Sequence, residues 1–264
     1  MYASRPGLTL RPSLFWSFFP AALFALLALL IWTSGINQNL FIAWNQTAYL
    51  LLPAGLWAGL TNAASTLGIL ALAAPTLAWQ PRWIASALIA APAASLYAQG
   101  IKHLLKVARP PAVLSADTLH IVGEPLYKNS FPSGHTVTAF LVAGAIILSP
   151  RHHQSYWLAP AVLLIAVILS FSRIAVAAHW PLDLFAGAAG GWLCAAFGAL
   201  VTAHWRFWET ARGIRIMAAI AAIASIALIF ADLGYPEGRW AQFLLGSIGI
   251  SGALYTWRRH RPQA

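Results

Sequence analysis

The polar and basic residues of this chain fall between long apolar runs. A helix needs about 20 mostly apolar residues to cross the hydrocarbon core of a bilayer. Runs of about that length occur at 13–34, 59–80, 84–101, 133–149, 157–176, 182–203, 214–232 and 239–257. The pattern predicts eight transmembrane helices. Segment 36–58 mixes Asn and Gln with aromatic residues and is expected to lie in the interface as an amphipathic helix leading into the second span. The first run follows Arg5 and Arg11, is too long for a signal-peptide core and lacks a clear small-residue cleavage site, so it reads as a retained helix. No internal repeat, Gly/Ser linker or low-complexity segment divides the chain.

Composition sharpens this reading. Of 264 residues, 60% are hydrophobic and 8% charged, where soluble domains carry about a quarter charged residues. Such a chain could not cover its own surface in water, and disorder, a coiled coil and a disulfide-rich secreted domain are excluded with it. The single cysteine, Cys194, falls inside an apolar run and has no partner for an internal disulfide. The net charge of +10 does not form a nucleic-acid stripe; the basic residues sit in the loops, where they report orientation. With a cytoplasmic N-terminus, that side receives Arg5, Arg11, Arg82, Arg151, Arg206, Arg212, Arg215, Arg258, Arg259 and Arg261, 10 of the 16 basic residues. Both termini are then cytoplasmic. The opposite face receives Lys102, Lys106, Arg109, Lys128, Arg173 and Arg239, and these need a separate reason.

A charged group at membrane depth is costly and is a functional candidate by default. Three polar clusters are of this kind, and the expected topology puts all of them on the non-cytoplasmic face. KHLLKVARP closes the third span, with Lys102 and Arg109; FPSGHT opens the fourth, with Ser133, Gly134 and His135; SRIAVAAHWPLD joins the fifth to the sixth, with Arg173, His179 and Asp183. Each cluster also has an ordinary structural reading. Lys102 and Lys106 could snorkel to the interface, Ser133 could cap a helix, and His179 and Asp183, four apart, could pair on one helical turn. His120 and Lys128 carry no spacing signal and read as loop surface; His152, His153, His204 and His260 read as solvated on the cytoplasmic side.

Together the clusters hold the parts that phosphoryl transfer needs. Lys102, Arg109 and Arg173 can neutralise a phosphate, the arginines in bidentate fashion. Backbone N–H groups around Ser133 and Gly134, at a helix start, add donors, and Gly134 leaves room for close approach. Two histidines can act as nucleophile and general acid, and Asp183 can hold one ring nitrogen of His179 so that the other points at phosphorus. The carboxylates are too few for a two-metal site, and no metal-ligand set is evident. The cations would take the metal's place.

The order and spacing of these residues resemble the three-part signature of the type 2 phosphatidic acid phosphatase superfamily. Its first part is matched by Lys102, six intervening residues, Arg109 and Pro110. The second is the run Pro132, Ser133, Gly134, His135, and the third is Ser172, Arg173, five residues, His179, three residues, Asp183. The signature covers 102–183. The resemblance implies an all-α polytopic transmembrane bundle: a catalytic six-helix core over 1–203, followed over 204–264 by two additional C-terminal transmembrane helices and a basic tail. It further implies a metal-independent phosphatase without a cofactor, with His179 as nucleophile, Asp183 holding it and His135 protonating the leaving oxygen. Lys102, Arg109, Ser133, Gly134 and Arg173 would bind the phosphoryl oxygens.

All three clusters lie at the ends of apolar spans, so the expected partner is a membrane lipid phosphate, with no nucleic acid. Family analogy and the outward-facing site place undecaprenyl diphosphate first, on the periplasmic face of a bacterial inner membrane. Phosphatidylglycerophosphate, phosphatidate and lipid A 1-phosphate are the alternatives, with a phosphotransferase sharing the same first half-reaction. A non-catalytic lipid-phosphate transporter or scaffold would use the cations but not His135, His179 and Asp183 at these spacings. Loop 110–131 is expected to contribute to specificity.

Overall fold

A computed structural model of the protein describes residues 13–149 and 156–260. Arg5, Arg11, Arg151, His152, His153 and Arg261 lie outside the described residues. Every regular element within them is helical: α1 (Leu14–Ser34), α2 (Asn37–Leu51), α3 (Ala54–Ala64), α4 (Thr66–Ala73), α5 (Pro81–Leu105), α6 (Pro110–Val113), α7 (Gly134–Ile147), α8 (Leu158–Ala175), α9 (Pro181–His204), α10 (Ala211–Phe230) and α11 (Arg239–Arg259), with short 3-10 turns between some of them. Each run expected to span holds helix. Among the described residues five helices are long and apolar enough to cross a membrane, or six if one bent pair counts as a single span.

The bent pair is the expected second span. Residues 59–80 read as one apolar run, but the helix breaks at Ser65 and its two parts, Ala54–Ala64 and Thr66–Ala78, meet at 80°. Ser65 is extended (φ −62°, ψ 157°), and its Oγ accepts the Gly68 N–H at 3.0 Å as an N-cap. The bend folds Gly68 onto the preceding turn, where a Cβ would lie 2.4 Å from the Asn62 carbonyl oxygen.

Two other predicted spans fall short of that apolar test. α7 has only 14 residues, about 21 Å of helix against a core of about 30 Å. It is walled by α5, α8 and α9, which extend beyond it. α11 interrupts its apolar residues with Gln242, Ser247, Ser251 and Thr256. Gln242 Nε2 donates to the Leu228 and Ala231 carbonyls, closing the end of α10. The α10–α11 hairpin packs on α4 and the turn after it, with Gly249 against Ala71 and Gly252 against Pro75.

Small residues set the closest approaches near the future site. Without a strong hydrophobic drive between helices in lipid, packing favours small-xxx-small contacts. Gly187 and Gly191 supply one on α9: a Cβ at Gly187 would lie 2.8 Å from the Ser133 carbonyl oxygen, and one at Gly191 2.4 Å from that of Val137. The start of α7 is thereby held against α9. α2 crosses the same end of the bundle. Its Asn37 Oδ1 accepts the Leu182 N–H at 3.0 Å, and Asn45 Nδ2 donates to the Ile174 carbonyl at 2.9 Å.

Candidate active site

The end of α5, the starts of α7 and α9 and the end of α8 meet at one end of the bundle. α5 stops where Lys106 adopts φ +47°, and the chain turns back through Arg109. Segment 107–109 then pairs with 127–130, through Arg109 N–H to Tyr127 O (3.0 Å) and Ser130 N–H to Val107 O (2.9 Å). α8 ends two residues beyond Arg173, whose carbonyl accepts the N–H groups of Ala178 and His179. Asp183 sits at the third position of α9 and accepts the Trp180 N–H at 2.9 Å. His179 therefore stands in the turn before α9, facing a carboxylate on its first turn.

The histidine is oriented from both sides. Its Nδ1 lies 3.1 Å from Asp183 Oδ2, and its Nε2 lies 3.2 Å from Arg109 Nη1. A guanidinium nitrogen can only donate, so Nε2 carries the lone pair and Nδ1 carries the proton. Asp183 Oδ2 also accepts from the Ser130 hydroxyl at 2.5 Å. His179 is 1% exposed. Burial first, and then the nearby Arg109, Arg173 and Lys102, push its pKa well below the usual histidine value, which keeps the imidazole neutral.

Three cations surround this ring. Arg109 is held by backbone carbonyls: Nε donates to Lys128 O, Nη1 to Ala178 O and Nη2 to Asn129 O. Lys102 Nζ donates to Asn129 O at 3.1 Å. Arg173 is 2% exposed, yet its Nε and Nη1 have no hydrogen-bond partner. Buried donors are normally paired, and convergent unpaired N–H groups beside two further cations form a place for an oxyanion.

A cavity of about 490 Å³ opens on this group. Lys102, Arg109, Gly134, His135, Arg173 and His179 line it together with Tyr235; Ile69, Leu70, Ala87, Leu88, Leu141 and Val142 continue it as an apolar slot. Ala87 and Lys102 are 15 residues apart on α5, about 22 Å along the helix. The slot thus runs lengthwise through the bundle. A Cβ built on Gly134 would meet nothing within 4 Å.

Of the eight residues expected at the site, six line the cavity. Ser133 and Asp183 stand behind its wall. Ser133 Oγ caps α7, accepting from the Thr136 backbone and hydroxyl, and Asp183 is bonded to the cavity-lining His179. Of the residues read as loop surface, Lys128 is exposed, but the His120 ring stacks on Tyr49 at 3.9 Å between centroids and the His120 backbone N–H donates to Asn45 Oδ1. Sequence reasoning missed Ser130 and Tyr235. Neither belongs to a spaced motif. Among the described residues no three His, Cys, Asp or Glu side chains are grouped to hold a metal ion.

Over 66 residues the chain is 42% identical to the lipid A 1-phosphatase of Rhizobium etli, a match covering 24% of this chain and 25% of that one. It is 38% identical over 66 residues to the undecaprenyl-diphosphatase of Sulfolobus acidocaldarius, covering 24% and 30%. The chain thus spans less than a third of the length of the curated relatives it matches. The crystal structure of Aquifex aeolicus LpxE is similar in fold, with a TM-score of 0.54 at 22% identity over 62% of this chain and 94% of that one. Residues 80–211 match the PAP2 superfamily, a stretch that is half of the 264 residues and contains all eight of the residues named from the sequence; the chain belongs to that superfamily.

Proposed function

We propose that the protein is an integral membrane lipid phosphatase that works through a phosphohistidine on His179, with undecaprenyl diphosphate as its substrate. One observation carries this reading: the lone pair of His179 Nε2, fixed by Asp183 through Nδ1, stands among three cations at the head of a cavity that continues as an apolar slot. The phosphate would lie among Lys102, Arg109 and Arg173 and the N–H groups at the start of α7, with the hydrocarbon tail in the slot. A transporter or scaffold has no use for a buried histidine whose lone pair is aimed by a carboxylate.

In the first half-reaction Nε2 attacks the terminal phosphorus. A P–N bond forms as the bond from that phosphorus to the bridging oxygen breaks, and His135, protonated once the charge of the bound phosphate lies among the cations, gives its proton to that oxygen so that undecaprenyl phosphate departs. Asp183 stabilises the positive charge that develops on the His179 ring. In the second, His135 takes a proton from water as its oxygen attacks phosphorus; the P–N bond breaks and inorganic phosphate leaves. Charge moves onto the phosphoryl oxygens where the three cations already stand, so little reorganisation is needed. The protein is placed in a bacterial inner membrane, and the basic-residue bias supports an orientation with both termini cytoplasmic and the site on the opposite, periplasmic face. The fold assigned to this activity is a six-helix core over 1–203 with the hairpin of 204–264 added.

Phosphate release by the purified protein in detergent with excess EDTA, compared across undecaprenyl diphosphate, phosphatidate, phosphatidylglycerophosphate and lipid A, tests the proposal. Preference for undecaprenyl diphosphate is expected, and preference for another lipid would reassign the substrate. A strict metal requirement would contradict the cation-only mechanism. Phosphate retained on the protein without release would make it a phosphotransferase. A second check is Gly134→Ala. A methyl group there meets no protein atom and suits a helix better than glycine, so the melting midpoint is expected to hold or rise slightly. The same methyl occupies space the phosphate needs, so kcat/KM is expected to fall by ~10-fold or more. Unchanged turnover would show that the phosphate does not approach the start of α7.

A further inference from the structure

We propose that Tyr235, on the turn between α10 and α11, is a substrate-positioning residue of the phosphate pocket: its ring seats the Arg173 guanidinium and its hydroxyl donates to the phosphate. The proposal rests on the phosphatase reading of the same cavity, but it concerns a residue beyond the 80–211 family match.

The guanidinium carbon of Arg173 lies 5.2 Å from the centre of the Tyr235 ring, within cation–π range. That contact holds the cation without occupying its N–H groups, and Nε and Nη1 remain unpaired. The Tyr235 side chain is itself nearly enclosed, with the residue 5% exposed, yet Oη has no hydrogen-bond partner. A buried hydroxyl without a partner costs about 1–3 kcal/mol. Tyr235 lines the same cavity as His135 and His179, and a phosphate there would supply acceptors for Oη and for Arg173 at once.

The turn that carries the tyrosine is built to hold it in place. Gly234 O accepts the Glu124 N–H at 2.8 Å, and Asn62 Nδ2 donates to Tyr235 O at 3.2 Å. Gly123, at φ +71°, fits directly beneath: a Cβ there would come within 2.3 Å of Gly234 O and 2.6 Å of the Tyr235 ring. Loop 110–131 and the C-terminal hairpin thus brace one another at the pocket wall. The hairpin supplies part of the site.

The test measures the Kd for inorganic phosphate by titration calorimetry, with kcat and KM on the preferred lipid, for the full-length wild type, Tyr235→Phe and Tyr235→Leu. Phe keeps the ring and removes the donor, so phosphate binding is expected to weaken by ~10-fold with little change in the melting midpoint. Leu removes the ring as well and is expected to weaken it by a further ~10-fold and lower kcat. Phosphate affinity in Tyr235→Phe equal to wild type would overturn the hydroxyl's role, and Leu equal to Phe would overturn the ring's. A wild type that does not bind phosphate would overturn both. A wild type that binds phosphate with the expected ranking but hydrolyses no lipid would sink the phosphatase reading and leave Tyr235 in the pocket.

Discussion

His179→Ala is expected to lower phosphate release by ~10⁴-fold or more while the folding midpoint stays within a few degrees of wild type. On the proposed mechanism the loss is large because the imidazole carries the attacking atom: Arg109, Arg173 and Lys102 are cations, Asp183 stands behind the cavity wall, and His135, which lines the same cavity, lacks the Asp183 contact that orients the His179 ring. The fold should survive because the carboxylate is not stranded when the ring is removed. Asp183 Oδ2 still accepts from the Ser130 hydroxyl and the Trp180 N–H. Phosphate affinity should persist in this variant, since the three cations remain. Turnover near the wild-type rate would remove the covalent mechanism. Loss of both turnover and phosphate affinity would mean that the ring is needed to assemble the site.

Arg173→Met is expected to do two opposite things: lower kcat/KM by ~10³-fold or more and raise the apparent melting midpoint of the ligand-free protein. The arginine is 2% exposed with Nε and Nη1 unpaired. A buried charge without hydrogen-bonding partners carries a desolvation cost that the contact with Tyr235 only partly offsets. Replacing buried charges by an apolar side chain of similar size can stabilise a protein by about 1–4 kcal/mol. Wild type, by contrast, should gain stability when phosphate is added, by RT ln(1 + [L]/Kd), and the Met variant should not. Thermal unfolding in detergent with and without phosphate reads both effects. A Met variant less stable than wild type would mean that Arg173 is chiefly structural. A phosphate-dependent shift of wild-type size in it would mean that the oxyanion binds elsewhere.

The contrast between these two residues bears on what the sequence could reveal. Lys102, Arg109, His135, Arg173, His179 and Asp183 were legible because each interrupts or bounds an apolar run, where a polar side chain demands a reason. Helix order then placed their three clusters on one face. The helical regions were legible for the same cause. Other features were not, because they arise only in three dimensions. Ser130 is one of several loop serines, and nothing local distinguishes it until segment 127–130 pairs with 107–109 and carries it to Asp183. Tyr235 is 62 residues from Arg173 in the chain, and the two meet only because the α10–α11 hairpin packs against α3 and α4. The break at Ser65 was hidden because the short polar stretch around it, with Thr61, Asn62 and Thr66, sits inside an otherwise apolar run. A serine inside a span carries no fixed conformation until its hydroxyl caps a new helix. Ser133 was legible in both of its readings, and the structure favours the capping role for its oxygen.

The asymmetry around His179 fits the proposed attack on phosphorus. Arg109 Nη1 occupies the Nε2 lone pair at 3.2 Å while donating to Ala178 O at 2.7 Å. An arriving phosphate would offer that guanidinium a better acceptor than a neutral imidazole. Binding would thus transfer the Arg109 N–H to the substrate and release the lone pair where phosphorus arrives. On this proposal a single hydrogen bond, Arg109 Nη1 to His179 Nε2, couples nucleophile and clamp.

The most direct measurement is a rapid-quench experiment with substrate carrying a radioactive terminal phosphate, followed by peptide mapping of the labelled protein. The account predicts label on the peptide containing His179, bound through nitrogen, stable in base and lost in acid, forming within the first turnover and absent from His179→Ala. Full phosphate release in the first turnover with no label on His179, or label that is stable to acid, would contradict it.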